Sequence, residues 1–192
     1  MDSPIILASS SPRRREMLKQ IGLRFTVDPA DVDERVLPGE EPEAYAVRVA
    51  QDKARIAAGR VDRGIIIAAD TIVVLDNMIL GKPLDEADAE RMLSLLSGRQ
   101  HRVMTGLVLM NASTEKILAD VVTTFVRFKP LAVHEIRAYA LSGEPLDKAG
   151  AYGIQEKGAL LVDGIEGDYF NVVGLPLCRL GQMLAELGVN LF

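Results

Sequence analysis

Three sets of residues in this sequence have side chains and spacings that could do chemistry. The first is Ser9-Ser10-Ser11-Pro12-Arg13-Arg14, followed by Arg15. Ser is a favoured helix N-cap and Pro a favoured first helical residue, so Ser11-Pro12 predicts a helix start. The backbone N–H groups there lack intrahelical partners and the helix dipole is positive, so anions bind readily. Arginines in a first turn oppose that dipole at about 0.3–1 kcal/mol each. An anion between the serines and an arginine would reverse that cost; the other reading is that the arginines splay into solvent or pair with nearby acids. No G-x-x-x-x-G-K-[ST] and no G-x-G-x-x-G occurs, so this is neither a Walker loop nor a dinucleotide fingerprint.

The second set is acidic. Asp70 interrupts the apolar run Ile65 to Leu75, so its carboxylate faces a cleft or is compensated inside the fold. It can ligate a divalent metal, accept a proton from water, or serve only as a structural hydrogen-bond acceptor. Thr71 follows it and points to the opposite face of a regular strand. Asp33 and Glu34 are a further pair, each a metal ligand or a solvated loop acid.

The third set reaches outward. Lys53 shares a helical face with Val49, Ala50, Ile56 and Ala57, while Arg48, Asp52 and Arg55 point elsewhere. Such a lysine crosses a groove to a phosphate or snorkels from the core. Lys82 in Gly81-Lys82-Pro83 reads by itself as surface charge. Gln155 closes a glycine-rich segment from Gly143, and its amide both donates and accepts, as the edge of uracil or thymine requires.

Alternating strands and helices must position these groups. Pro4 to Ala8 reads as a buried strand, and a helix follows from Ser11 to about Ile21, stopped by Gly22. Leu23 to Val27 reads as a strand, Asp28 to Glu43 as loop, and Pro42 to Gly59 as a helix. Ile65 to Leu75 is a strand covered on both faces, and Asp85 caps a helix through Leu96. Val103 to Met110 and Ala119 to Phe128 form a hairpin around Asn111 to Lys116. A helix at Ala132 to Leu141, a strand at Ala159 to Val162 and a helix at Leu177 to Leu187 complete an α/β pattern.

Composition narrows the partners. The 192 residues suit one compact domain or two joined lobes, and 48% hydrophobic residues supply a core. A net charge of −5 argues against a nucleic-acid polymer as partner but leaves room for a local anion site. No run is long and apolar enough for a bilayer, and no secretory signal is read, so a cytoplasmic address is expected. Cys178, the one cysteine, excludes an intrachain disulfide and reads as a buried inert thiol. His101 and His134 are too few for a histidine metal site, and no G-x-S-x-G supports serine catalysis.

Together the motifs resemble the Maf family of nucleotide pyrophosphatases over nearly the whole chain. The resemblance is carried by Leu7-Ala8-Ser9-Ser10-Ser11-Pro12-Arg13-Arg14, Ala69-Asp70-Thr71, Gly81-Lys82-Pro83, and Ser97-Gly98-Arg99-Gln100-His101-Arg102-Val103. Asp147 to Gln155 and Asn171-Val172-Val173-Gly174-Leu175-Pro176-Leu177 continue it. It implies a mixed twisted sheet with flanking helices, like that of the inosine-triphosphate pyrophosphatases, in two lobes around a cleft. It also implies a divalent cation, Mg²⁺ or Mn²⁺, a nucleoside triphosphate substrate, and a homodimer. On the matching positions Asp70 is the proton acceptor and a metal ligand. Arg13, Thr71 and Gln155 shape specificity, while Ser9, Lys53 and Lys82 hold phosphates. The metal-side acid maps to Val32-Asp33-Glu34, with Glu34 favoured. The form Asp147-Lys148-Ala149-Gly150-Ala151-Tyr152-Gly153-Ile154-Gln155 resembles the branch acting on dTTP and UTP; the rival readings are 7-methyl-GTP as substrate and a nucleotide-binding regulator of division. Glu156-Lys157-Gly158 and Gly167-Asp168-Tyr169 depart from the family's pattern.

Overall fold

A computed structural model describes residues 3–191. Strand β1 (Ile5–Leu7) leads through the serine turn into α1 (Pro12–Gln20), where Ser11 Oγ accepts from the Arg14 backbone N–H at the N-cap and Pro12 begins the first turn. The helix ends at Gly22, whose φ of +72° suits a residue without a Cβ. The expected strand from Leu23 shortens to β2 (Thr26–Val27), because the Leu23 N–H is committed to the Leu18 carbonyl.

Pro42 opens α2 (Pro42–Ala58), whose buried face is mostly Ala and Val. The small side chains let the helix lie close on the sheet. At Gly106 a Cβ would overlap the Ala46 carbonyl, so only glycine allows this approach.

The long strand β3 (Ile65–Leu75) pairs in parallel with β1 and antiparallel with β4 (Met78–Leu80). The sequence reading misses β4. Asp76 and Asn77 form its two-residue turn with φ of +49° and +65°, the geometry of a tight hairpin connection. Asp85 caps α3 (Glu86–Leu96) by accepting from the Asp88 N–H at 2.8 Å. Strands β5 (Gln100–Asn111) and β6 (Ile117–Phe128) are neighbours joined by a turn in which Asn111 Oδ1 accepts from the Ser113 and Thr114 N–H groups.

After α4 (Val133–Ala140) the chain winds through short 3-10 turns at Glu144–Asp147, Ala149–Ala151 and Glu156–Leu161. The expected strand at Ala159 to Val162 is corrected to β7 (Val162–Glu166), since the turn through Leu161 takes up the preceding residues. Asp168 then caps the unforeseen short helix α5 (Tyr169–Val173), accepting from the Phe170 N–H at 2.7 Å. The final α6 (Leu177–Glu186) buries Leu180, Met183 and Leu184. Cys178 lies off that stripe and is exposed, which corrects its reading as a buried thiol.

The result is the expected mixed α/β sheet, ordered β2-β1-β3-β5-β6-β7 with β4 on β3. The chain divides into two compact units. One comprises the described residues up to Asp70, Thr105–Val122 and those from Gly174 onward; the other comprises Thr71–Met104 and Thr123–Val173. Among the described residues no helix is long and apolar enough to cross a membrane.

In the second unit Phe128, His101 and Tyr152 stack edge to face, with His101–Phe128 centroids 5.1 Å apart. His101 is 2% exposed and its Nε2 meets the Tyr152 hydroxyl at 2.7 Å. Burial pushes the imidazole down to about 4. Below about pH 6.5 the unfolded chain takes a proton at this site that the folded chain refuses, so stability falls with pH through that window, by about 3 kcal/mol. His101→Gln should flatten this dependence between about pH 6.5 and 4 in urea titrations. An unchanged slope would show that the ring carries no such penalty.

Candidate functional site

The first unit gathers one compact polar cluster from four separate stretches of chain. Ser9 lies just past β1 and is 8% exposed. Its Oγ accepts from Arg14 Nη1 at 3.1 Å and from the Ser11 N–H at 3.3 Å. Arg14 Nε donates to the Gly174 carbonyl at 2.8 Å, tying the first helical turn to the segment before α6. The guanidinium is therefore drawn back over the serine turn. Burial lowers the Arg14 pKa from its ordinary value; Asp70 opposes that shift, Arg13 adds to it, and Glu34 opposes it further.

Asp70 ends the first unit's share of β3 and is 9% exposed. Its Oδ1 accepts from Lys53 Nζ at 2.8 Å, and the same ammonium meets Glu34 Oε1 at 2.7 Å. Lys53 thus bridges two carboxylates. It reaches them from the α2 face that also buries Val49, Ala50 and Ala57. Ile56, expected on that face, is 38% exposed, because a residue three positions on lies near the stripe's edge. Arg48, Asp52 and Arg55 pair among themselves on another face, as the helical spacing predicts.

Glu34 belongs to an irregular loop, and two residues of α2 fix that loop. The Tyr45 hydroxyl donates to the Glu34 carbonyl at 2.7 Å. Arg48 grips Glu40 and also donates to the Arg35 carbonyl at 3.0 Å. Tyr45 is pushed up to about 12, by burial first and then by Asp70 and Glu34. The structure separates the two loop acids: Glu34 turns to Lys53, while Asp33 turns to Arg35, whose hydrogen bonds lower it to about 2.

These residues define what the cluster can do. Arg14 and Lys53 are cations, and the buried Asp70 and the exposed Glu34 supply carboxylates. Lys53 pairs with both, so the largely buried Lys53–Asp70 pair is matched in charge. Glu34 and Asp70 offer carboxylate oxygens, the hard donor type that Mg²⁺ and Mn²⁺ select, and both oxygens meet the Lys53 ammonium. By donor type these two carboxylates suit such an ion, as two ligands of a shell that other groups must complete. Among the described residues no group of three or more His, Cys, Asp and Glu could hold a metal.

Ser9, Glu34, Lys53 and Asp70 all lie in the first unit; Lys53 meets Glu34 and Asp70 directly, and Ser9 meets Arg14. Arg13 is partly buried next to Arg14 in α1. Arg14 and Tyr45 are the members that reading did not assign. Arg14 stood in the quoted motif with Arg13 preferred, and the long-range bond to Gly174 left no local signal. Thr71, Lys82 and Gln155 belong to the second unit. There Thr71 is partly buried, while Lys82 and Gln155 are exposed. The turn carrying Lys82 is joined to the glycine-rich segment by the Gly150 N–H donating to the Gly81 carbonyl at 2.9 Å. At Gly150, with φ of +68°, a Cβ would press into Val73.

A family model described as Maf-like protein matches residues 4–187. A relative from Clostridioides difficile (strain 630), named dTTP/UTP pyrophosphatase, is 49% identical, covering 98% of this chain and 97% of its own length. One from Moorella thermoacetica carries the same name at 48% identity, covering 99% of this chain and 98% of its own. A solved HAM1 protein from Coxiella burnetii superposes with a TM-score of 0.50 at 21% identity, covering 95% of this chain and 98% of that one. At that identity the likeness speaks to the fold alone.

The Ser9–Arg14 arrangement predicts a measurable anion affinity. Ser9→Ala removes the oxygen that holds the guanidinium and should weaken inorganic pyrophosphate binding about tenfold by calorimetry. Unchanged binding would show that this turn is not an anion cradle.

Proposed function

The chain belongs to the Maf-like protein family, and we propose that it is a nucleoside triphosphate pyrophosphatase cleaving dTTP and UTP to the monophosphate and pyrophosphate. The observation that carries this is the Lys53 ammonium held between Glu34 and Asp70 in the unit that also holds the Ser9–Arg14 turn. Relatives about half identical over nearly the full chain bear the matching name.

In this reading water attacks the α-phosphorus and pyrophosphate leaves. Asp70 is the proton acceptor: Lys53 fixes the carboxylate through Oδ1, and its second oxygen takes the proton as the water attacks. Ser9, Arg14 and the adjacent Arg13 hold phosphate oxygens at the helix start, where the helix dipole is positive and the Arg14 guanidinium lies over the serine turn. The phosphates also draw on Lys53, whose charge stabilises the transition state as negative charge builds on the phosphoryl oxygens. A divalent cation, Mg²⁺ or Mn²⁺, held by Glu34 and Asp70, would supply further neutralisation of those oxygens. Lys82 is read as a further phosphate contact, and Thr71 and Gln155 as the residues that select the base. The same reading takes the chain as one continuous domain with the cytoplasmic address expected from its sequence, and as a homodimer on the family resemblance.

The matched charges explain why a cation is part of the proposal. Arg14 and Lys53 are largely neutralised by Asp70 and Glu34, so a triphosphate arrives with more negative charge than the first unit's cluster offsets. Arg13 and a divalent ion would make up the difference.

Asp70→Asn keeps the side-chain shape and should lower turnover by about 10²–10⁴-fold, with the protein folded and dTTP still bound. Pyrophosphate release at near the wild-type rate would remove Asp70 from the chemistry. A panel of dTTP, UTP, CTP, 7-methyl-GTP and ITP, run with Mg²⁺, Mn²⁺ or EDTA, should show release from dTTP and UTP that chelation abolishes. Turnover of the purine nucleotides alone would overturn the substrate reading.

A further inference from the structure

The loop that carries Gln155 is held at its neck by two side chains with no part in the reaction proposed above. The second half of the loop runs into the 3-10 turn Glu156–Leu161. Ile154 turns inward at 9% exposure, Gln155 turns outward, and Glu156 takes a left-handed φ of +55°. At the neck the backbone of Gly158 lies against that of Gly153, so closely that a Cβ on Gly158 would overlap the Gly153 carbonyl and the Tyr139 hydroxyl.

The Tyr139 hydroxyl accepts from the Gly153 N–H at 3.2 Å and donates to Glu144 Oε1 at 2.9 Å. That same Oε1 accepts from the Gly158 N–H at 3.1 Å. One tyrosine oxygen and one carboxylate oxygen therefore close the loop through both of its ends. Both supports are anchored. The Tyr139 ring is 5% exposed in a core with Met92, Tyr152 and Leu161. Glu144 is fixed through its own backbone, with its carbonyl accepting from Lys148 Nζ and its N–H donating to Ser142 Oγ. Burial is the main reason the Tyr139 hydroxyl is pushed up and so stays a protonated donor.

We infer that Tyr139 and Glu144 are positioning residues for base selection, clamping the neck of the Gly153–Gly158 loop so that the Gln155 amide is presented in one orientation. The inference rests on the reading of Gln155 as the base-selecting side chain. The physical reason is entropic. Without that neck, an exposed amide on a six-residue loop would sample more orientations, and each must be lost when a base edge is read. A neck held by two hydrogen bonds, one to a charged acceptor, removes most of that freedom before the nucleotide arrives.

Tyr139→Phe deletes only the hydroxyl, and Glu144→Ala deletes the acceptor; Glu144→Gln keeps an acceptor oxygen and should fall between Ala and wild type. In the 192-residue chain, amide hydrogen exchange over residues 153–158 should quicken about tenfold in Tyr139→Phe and Glu144→Ala. The KM for dTTP and UTP should rise about tenfold with kcat within about twofold, and the preference for dTTP over CTP should narrow. Unchanged exchange in both variants would overturn the clamp, as would a loosened loop with KM and base preference intact. Gln155→Ala, measured alongside, separates the two claims. If it leaves the dTTP preference intact, the base-selecting role falls and this inference with it. If it alters the preference while the clamp variants do not, only the clamp falls.

Discussion

The Lys53 ammonium between the Glu34 and Asp70 carboxylates is the interaction on which the first unit's polar chemistry depends. A carboxylate interrupting a strand as apolar as Ile65 to Leu75 carries a large desolvation cost unless a cation meets it. Lys53 meets that need only because α2 lies close on the sheet. The approach in turn requires alanines along the helix and Gly106 beneath Ala46. A larger side chain at that contact would lift the helix and draw Lys53 away from the strand. The packing and the charge chemistry are therefore one constraint seen from two sides.

The same bridge orders a loop that has no regular structure of its own. Tyr45 and Arg48, one turn apart on α2, bond backbone carbonyls around Glu34 and so deliver its side chain to Lys53. On the other side, Arg14 ties the serine turn to Gly174, near the start of the last helix. Helix start, strand carboxylate, helix lysine and loop acid are thereby fixed by bonds long in sequence and short in space. This is the preorganisation expected where charge must be stabilised without reorganising solvent.

Much of this was legible in the sequence. Apolar runs and capping residues located most strands and helices, and the interruption at Asp70 and the small-residue face below Lys53 singled out both partners of the bridge. Local signals failed where non-local bonds decide. The choice between Asp33 and Glu34 depends on which acid Arg35 takes and which Lys53 takes. Arg14 is distinguished from Arg13 by a carbonyl 160 residues away in sequence. The strand expected at Ala159 gives way to a 3-10 turn because the chain there is closing a loop onto Tyr139 and Glu144. Cys178 sits among apolar neighbours in sequence but on the outer side of α6.

The central claim is that the carboxylate held by Lys53 is the base for attack on the α-phosphorus. A crystal structure with a non-hydrolysable α,β-imido analogue of dTTP and Mg²⁺ tests it most directly. The account predicts the α-phosphorus within reach of a water hydrogen-bonded to Asp70, with phosphate oxygens on Ser9 and the neighbouring arginine. A triphosphate bound with its α-phosphorus remote from Asp70, and Asp70 still engaged only by Lys53, would contradict it.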